Sequence, residues 1–258
     1  MVYMMLVRNI FLSTFVFVAT LIATDPAARP TAAQDAAQDA KDPYPTMAPI
    51  EQYLMDRDAE IALARSAAPD AISHDATILV LTRRGYETAI EGKNGWVCWV
   101  GRAWGGMFDN PEFWNPKVRA AGCLNPPGAR SVLPLDTKRT ELVLAGHSKA
   151  EIVSAMAAAI EKKQLPALEP GTVCYMMGKA SYLTDQGGHN MPHLMFYDSV
   201  KEPVAWGANV ENSPMMGVNF WAMSLDAYPQ LKSFPPLVVF LVGVEKWSDG
   251  TAAPSMGM

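Results

Sequence analysis

Charge is scarce in this chain, and positive charge scarcer still. Only 18% of its 258 residues are charged, with 21 Lys+Arg against 26 Asp+Glu and a formal net charge of −5. Nucleic-acid binding is driven by neutralising phosphates with a basic surface, so the sign of the charge excludes that partner class. The glycine-rich phosphate cradles are missing as well: no G-x-G-x-x-G follows a strand pattern, and there is no Walker sequence. Cysteine is limited to Cys98, Cys123 and Cys174, and no two of them have C-x-x-C spacing. That excludes the usual zinc and thioredoxin-like motifs and a disulfide-dense miniprotein. Past the N-terminus the longest apolar run is Leu237–Val244, eight residues, where a membrane-spanning helix needs about 20. No transmembrane segment is expected in the mature chain. What is abundant is apolar surface: 50% of residues are hydrophobic and 9% aromatic, enough to build a core.

The first residues read as an export signal. Arg8 precedes the uncharged stretch Ile10–Ala23, and small residues follow up to Thr31-Ala32-Ala33. A basic start, a short apolar middle and a small-residue cleavage site are the parts of a secretory signal. Residues 1–33 are therefore expected to be removed, leaving a periplasmic or extracellular protein that begins near Gln34. The segment carries Arg8, Arg29 and Asp25, so its loss makes the charge one unit more negative. Residues 34–45, small, polar and Pro-bounded, form a flexible lead-in, and residues 46–258 a single domain. In an oxidising compartment three cysteines permit three single bridges. Cys98–Cys123 is the expected one, because the chain between them holds a long irregular segment, Gly105–Arg130, that gains from being tied down.

The coarse pattern is α+β. Ile50, Tyr53, Leu54, Ile61 and Ala64 recur at helical spacing, and Ala68-Pro69 ends that run. Thr77–Thr82, Tyr86–Ile90 and Trp96–Trp104 read as three strands, with Gly92-Lys93-Asn94-Gly95 as a hairpin turn between the second and third. Thr140–Ala145 reads as a strand or as a lead-in to the helix behind it. That helix starts at a capping box, Ser148 with Glu151 three residues on, and stops before Pro166. Thr172–Met177 and His193–Tyr197 are strands, and Leu237–Val244, apolar on both faces, is the expected central strand. Together these predict a largely antiparallel sheet with two main helices packed on one face.

Two local patterns point to chemistry. Of four histidines, His189 and His193 lie close together in GGHNMPHLMFYD. In an extended chain His189, Met191, His193, Met195 and Tyr197 share one face. Imidazole suits zinc and copper, thioether sulfur suits Cu(I), and Asp185 or Asp198 offers an oxygen ligand. Pro192 forbids the helix that an H-E-x-x-H site requires, so a metal here would be held by strand and loop. The competing reading is a hairpin arm whose histidines bond to backbone while its methionines fill core space. Second, LVLAGHSKA (Leu142–Ala150) resembles the nucleophile elbow of α/β-hydrolases, which implies Ser148 as nucleophile and His189 or His193 as base. Ala150 stands where that family has glycine, no HGGG-like oxyanion segment precedes it, and the capping box accounts for Ser148 by itself. The seven tryptophans and the thirteen methionines of the mature chain are expected to pack the core.

Glu60–Ser73, Gly85–Val100, Phe113–Pro134 and Gly188–Asp198 together resemble a group of exported bacterial proteins to which no activity is attached. The resemblance implies export and one domain, and carries no mechanism. The expectation is an exported soluble protein with a metal- or small-ligand-binding site at His189/His193. The alternatives are a non-catalytic envelope or binding module, and a serine hydrolase using Ser148.

Overall fold

The apolar and β-branched runs form strands β1 (Thr77–Thr82), β2 (Gly85–Ile90), β3 (Val97–Gly101), β4 (Ala120–Leu124), β5 (Val173–Met176), β6 (Tyr182–Thr184), β7 (Gly188–His189), β8 (His193–Asp198), β9 (Met215–Asn219) and β10 (Val238–Gly243). These come from a computed structural model that describes residues 43–254 except Asn190 and Ala227, and leaves the His189 side chain undescribed. The expected signal segment 1–33 and most of the lead-in 34–45 lie outside the described residues. Eight strands make one sheet in the order β2-β1-β3-β4-β5-β8-β10-β9, and β6 pairs with β7 in a separate ribbon. Every neighbour in the large sheet is antiparallel except β1 and β3.

That one parallel pair corrects the expected hairpin. The chain leaving β2 does not turn back along it but passes around the start of β1 to reach its other side. The Gly92–Gly95 segment is pinned there: Lys93 N donates to Asp75 O at 2.7 Å and Asn94 Nδ2 to Ile72 O at 2.8 Å. Gly92 is required by the close approach, since a Cβ there would lie 2.2 Å from Thr77 N. The Asn-Gly pair thus closes a crossover instead of an adjacent-strand turn.

The helices are α1 (Arg57–Arg65), α2 (Asp70–Ser73), α3 (Pro126–Ser131), α4 (Leu133–Leu144) and α5 (Lys149–Glu161). The expected helix from Ile50 is broken. A 3-10 turn holds Ile50–Gln52, and α1 begins only after Asp56, whose carboxylate accepts from Asp58 N and Ala59 N at 3.0 Å, satisfying the free N–H groups of the first turn. Thr140–Ala145 proves to be the end of α4, not a strand. The expected irregular segment Gly105–Arg130 contains β4 and the start of α3, which Asn125 caps by accepting from Gly128 N at 3.1 Å.

Helices cover both faces of the sheet, not one. Leu63 and Ala64 of α1 pack on Ile78, Cys98, Val100, Ala121 and Cys123. On the other face α4 and α5 contribute Leu135, Val143, Ile152 and Met156 to a larger core with Trp99, Leu124, Cys174, Tyr197 and Val239. Glu60 and Arg102 link α1 to the end of β3 as a fully buried ion pair at 2.9 Å. Glu60 also accepts from Leu81 N at 3.1 Å, and Arg102 Nε donates to Tyr53 O at 2.7 Å. A buried pair satisfied in this way fixes where elements sit more than it adds stability. β10 lies one strand in from the edge, not at the centre, with β9 outside it.

The disulfide joins Cys98 to Cys123, directly opposite one another on β3 and β4. It staples neighbouring strands instead of a loop. Strand alternation explains the choice of partner: Cys98 and Cys123 face the α1 side, whereas Cys174 is buried in the core on the other face and is free. Among the described residues no helix is long and apolar enough to cross a membrane.

Candidate functional site

The larger core is not filled. Alternation along six strands points Trp99 and Gly101, Ala120 and Gly122, Cys174 and Met176, Met195 and Tyr197, Val218, and Val239 and Leu241 to the same side of the sheet. Three of these, Gly101, Ala120 and Gly122, have little or no side chain, and they sit together where β3 pairs with β4. The deficit leaves a cavity of about 270 Å³. Gly122 is needed for close contact, because a Cβ there would lie 3.0 Å from the Trp99 ring and 3.3 Å from Cys174 Sγ. Val132, the residue before α4, and Asp136 of α4 line the cavity, with the Arg102–Met107 loop and Leu183.

Of the lining residues Gly106 alone is exposed, and the half-buried Met107 and Asn110 flank it, forming a lip. This lip is tied down from two directions. Asp109 accepts from Met223 N at 2.8 Å and Ser224 N at 2.7 Å, while Phe108 N donates to Trp221 O at 2.8 Å. Arg139 Nη1 donates to the carbonyls of Gly105 at 3.1 Å and Gly106 at 2.6 Å.

The polar groups of the cavity are few and buried. Trp99 Nε1 donates to Asp136 Oδ2 at 2.8 Å, which fixes the indole along the wall. Asp136 Oδ1 is buried without a partner. Burial pushes the Asp136 carboxyl above its ordinary range, opposed by the nearby Arg139 charge and the Trp99 hydrogen bond. One helical turn on, Arg139 is also fully buried, and its Nε and Nη2 have no partner. Its guanidinium lies 4.3 Å from the centre of the Phe108 ring, 5.1 Å from Phe220 and 5.4 Å from Trp221. Burial lowers its pKa to about 10. Tyr197 adds a hydroxyl whose partner is the Met195 thioether at 3.7 Å, a weak acceptor. Cys174, pushed up to about 12 by burial, is a thiol and not a thiolate.

A second hollow, of about 580 Å³, lies between the end of α5 and Pro235–Leu237. It is larger, but none of the buried unpartnered polar atoms belongs to its lining. The first hollow is the one lined by a buried carboxyl, Asp136, and a buried tyrosine, Tyr197.

The residues singled out from sequence are scattered. His193 Nδ1 bonds to Met191 O at 2.7 Å, and burial lowers the pKa of the ring. Asp198 lies five positions along β8 and so on the opposite face, about 16 Å away at the rise of a strand. Asp185 turns the β6–β7 ribbon. It accepts from Tyr182 at 2.5 Å, from Lys117 at 3.2 Å and from Tyr44. These donors hold its carboxyl far below the usual range. The His189 backbone pairs with Tyr182 in that ribbon, and its side chain lies outside the described residues. Among the described residues no three His, Cys, Asp or Glu side chains gather into a metal-holding group. Ser148 is the N-cap of α5. Its Oγ donates to Glu151 Oε2 at 2.9 Å and accepts from Glu151 N at 3.4 Å, and Glu151 in turn accepts from Ser148 N at 2.8 Å.

The reading of the His189–Tyr197 row did touch the cavity, since Met195 and Tyr197 line it. Asp136 and Arg139 were missed. The available signal was a charged pair three residues apart on a helix otherwise bounded by Leu133, Leu135, Leu142 and Val143. Comparison with protein-family models, with curated proteins and with solved structures found no match.

Proposed function

We propose that this chain is an exported small-molecule-binding protein whose ligand occupies the cavity over β3, β4, β5 and β8. The single observation that carries the reading is a hollow of about 270 Å³ in a close-packed core, walled mostly by apolar side chains and lined by the buried Trp99, Asp136 and Tyr197. Protein interiors pack at about 0.74 of space and leave few voids larger than a water molecule. A hollow of about 270 Å³ is far larger than such voids. A mostly apolar wall with a few fixed polar groups is the usual make-up of a small-ligand site. The volume sits just below the usual range of about 300–1,000 Å³ and accommodates roughly ten heavy atoms at interior packing density.

Export is supported by the pattern of residues 1–33 and by the disulfide, which persists in oxidising compartments and is rare in reducing ones. No specific observation favours the metal reading or the serine hydrolase reading, and neither is proposed.

The test is a thermal-shift titration with toluene, a compact apolar probe, on the wild type and on Ala120→Leu, which fills the cavity floor. The wild type should gain several degrees at millimolar toluene, and Ala120→Leu should gain none. An unmoved wild-type Tm across that range, or equal shifts in both proteins, would overturn the reading.

A further inference from the structure

We infer that the ligand is an uncharged molecule whose polar end is a hydrogen-bond acceptor, the carbonyl of a ketone, ester or amide, met by Asn110 Nδ2 at the lip; this rests on the cavity reading above. The sign follows from which polar atoms of the lining are already engaged. Asp136 offers nothing: Oδ2 accepts from Trp99 Nε1 at 2.8 Å, and Oδ1 is sealed against Gly105, where an added Cβ would lie 2.6 Å from it. Arg102 gives its nitrogens to Glu60, to Tyr53 O and to Val100 O. Two primary amides remain on the lining, Asn110 and Asn219, and each is oriented by a bond that it accepts. Asn110 Oδ1 accepts from Glu112 N at 2.8 Å, and Asn219 Oδ1 accepts from Trp221 N at 2.8 Å. What each keeps is its N–H₂ group, a donor, and neither group has an acceptor among the described residues.

Asn110 is the amide placed at the way in. It is half-buried, and its Nδ2 would lie 3.9 Å from a Cβ on Gly106, the exposed residue of the lining. A molecule with an apolar body among Trp99, Met195 and Leu241 and a carbonyl at one end matches that arrangement. A hydrocarbon end seated at the lip displaces water from the amide and returns no bond, whereas a carbonyl replaces the water in kind. The same inventory excludes a charged end. An anion taken out of water needs a cation or several donors. Arg102 is committed to Glu60, and Arg139 is held among Phe108, Phe220 and Trp221 with Nη1 on the Gly105 and Gly106 carbonyls. A cationic end carries donors alone and would face the Asn110 amide donor to donor.

Isothermal titration calorimetry at pH 7.5 with four probes of one shape tests this: cumene, acetophenone, benzoate and benzamidine, which present in turn a hydrocarbon, a neutral acceptor, an anion and a cation. The variant is Asn110→Asp, which keeps an oxygen for Glu112 N and puts an acceptor where Nδ2 was. The wild type should bind acetophenone at least tenfold tighter than benzoate or benzamidine. In Asn110→Asp acetophenone should weaken at least tenfold, while cumene stays within about threefold. Cumene is compared only between the two proteins, because its greater apolar area favours it in any apolar cavity. If the variant does not fold, the carbonyl stretch of acetophenone bound to the wild type gives the same answer. It should sit near its position in a hydrogen-bonding solvent, and a stretch at its alkane position overturns the inference. Acetophenone bound alike by both proteins, equal losses of acetophenone and cumene in the variant, or a wild-type preference for benzoate or benzamidine also overturns it and leaves the cavity reading intact. Binding of none of the four removes both.

Discussion

Asp136 and Arg139 are the residues on which most turns, and both break the rule that buried charge is paired directly. Neither binds the other. Asp136 gives one oxygen to an indole, Arg139 gives one nitrogen to two loop carbonyls, and both keep unpartnered atoms. Glu60 and Arg102 show the contrasting case, a buried pair at 2.9 Å whose polar atoms are engaged. Asp136 lines the cavity and Arg139 packs behind it among Phe108, Phe220 and Trp221, whereas Glu60 and Arg102 join α1 to the sheet. His193 supplies a pH signature of its own. Burial depresses its pKa below the ordinary value of 6.5. The folded form is thus less easily protonated than the unfolded one, so its contribution to stability is complete above about pH 6.5 and is lost as pH falls toward the folded value. Between about pH 6.5 and 5 the Tm of the wild type should fall more steeply than that of His193→Gln. Parallel profiles would show that the ring is not buried as described.

At the scale of elements, the lip of the cavity is the part that decides access. It hangs between β3 and β4 and is fastened from two sides, by Arg139 beneath and by Asp109 reaching across to the backbone at Met223 and Ser224. Two charge-assisted bonds to backbone N–H groups are lost in Asp109→Ala, at an expected cost of about 1–2 kcal/mol given their exposure. The same change should raise the rate of toluene exchange severalfold with little change in affinity, measurable by NMR line shape. An unaltered exchange rate would mean that the ligand enters elsewhere.

The elements also mark where local pattern stops being informative. Ser148 and Glu151 announced the start of α5 because a capping box is a local arrangement of two side chains and two N–H groups. β1, β2, β5, β8 and β10 were legible for the same reason, as short apolar runs bounded by turns. β4 was not: Ala120–Leu124 (AAGCL) has no β-branched residue, and it is a strand because Cys98 and Cys123 bond across it and β3 and β5 flank it. The cavity was illegible for a related reason. Gly101, Ala120 and Gly122 are separated by up to 21 positions, and their small size becomes a hollow only when strand pairing brings them together. Asp136 reads as an ordinary polar residue of a helix until tertiary packing buries it.

Over the whole molecule, one sheet carries a smaller core under α1, a larger one under α4 and α5, and a third cluster of Ala208, Val238 and Phe240. The disulfide belongs to the α1 side. It closes a separation of 25 residues, for which chain entropy gives about 3.5 kcal/mol. The Cys98→Ala/Cys123→Ala double variant should lose about 3 kcal/mol in urea unfolding, whereas Cys174→Ala, on the other face, should not affect oxidation of the pair. A double variant as stable as the wild type would contradict the stapling role. The disulfide staples the α1 face, and the opposite face carries the cavity and two charges with unpartnered atoms.

The most direct measurement is a crystal structure of the protein soaked in toluene. The aromatic ring should lie over Gly101, Ala120 and Gly122 between Trp99 and Met195. A cavity closed by side-chain collapse, or toluene bound only on the surface, would contradict the account.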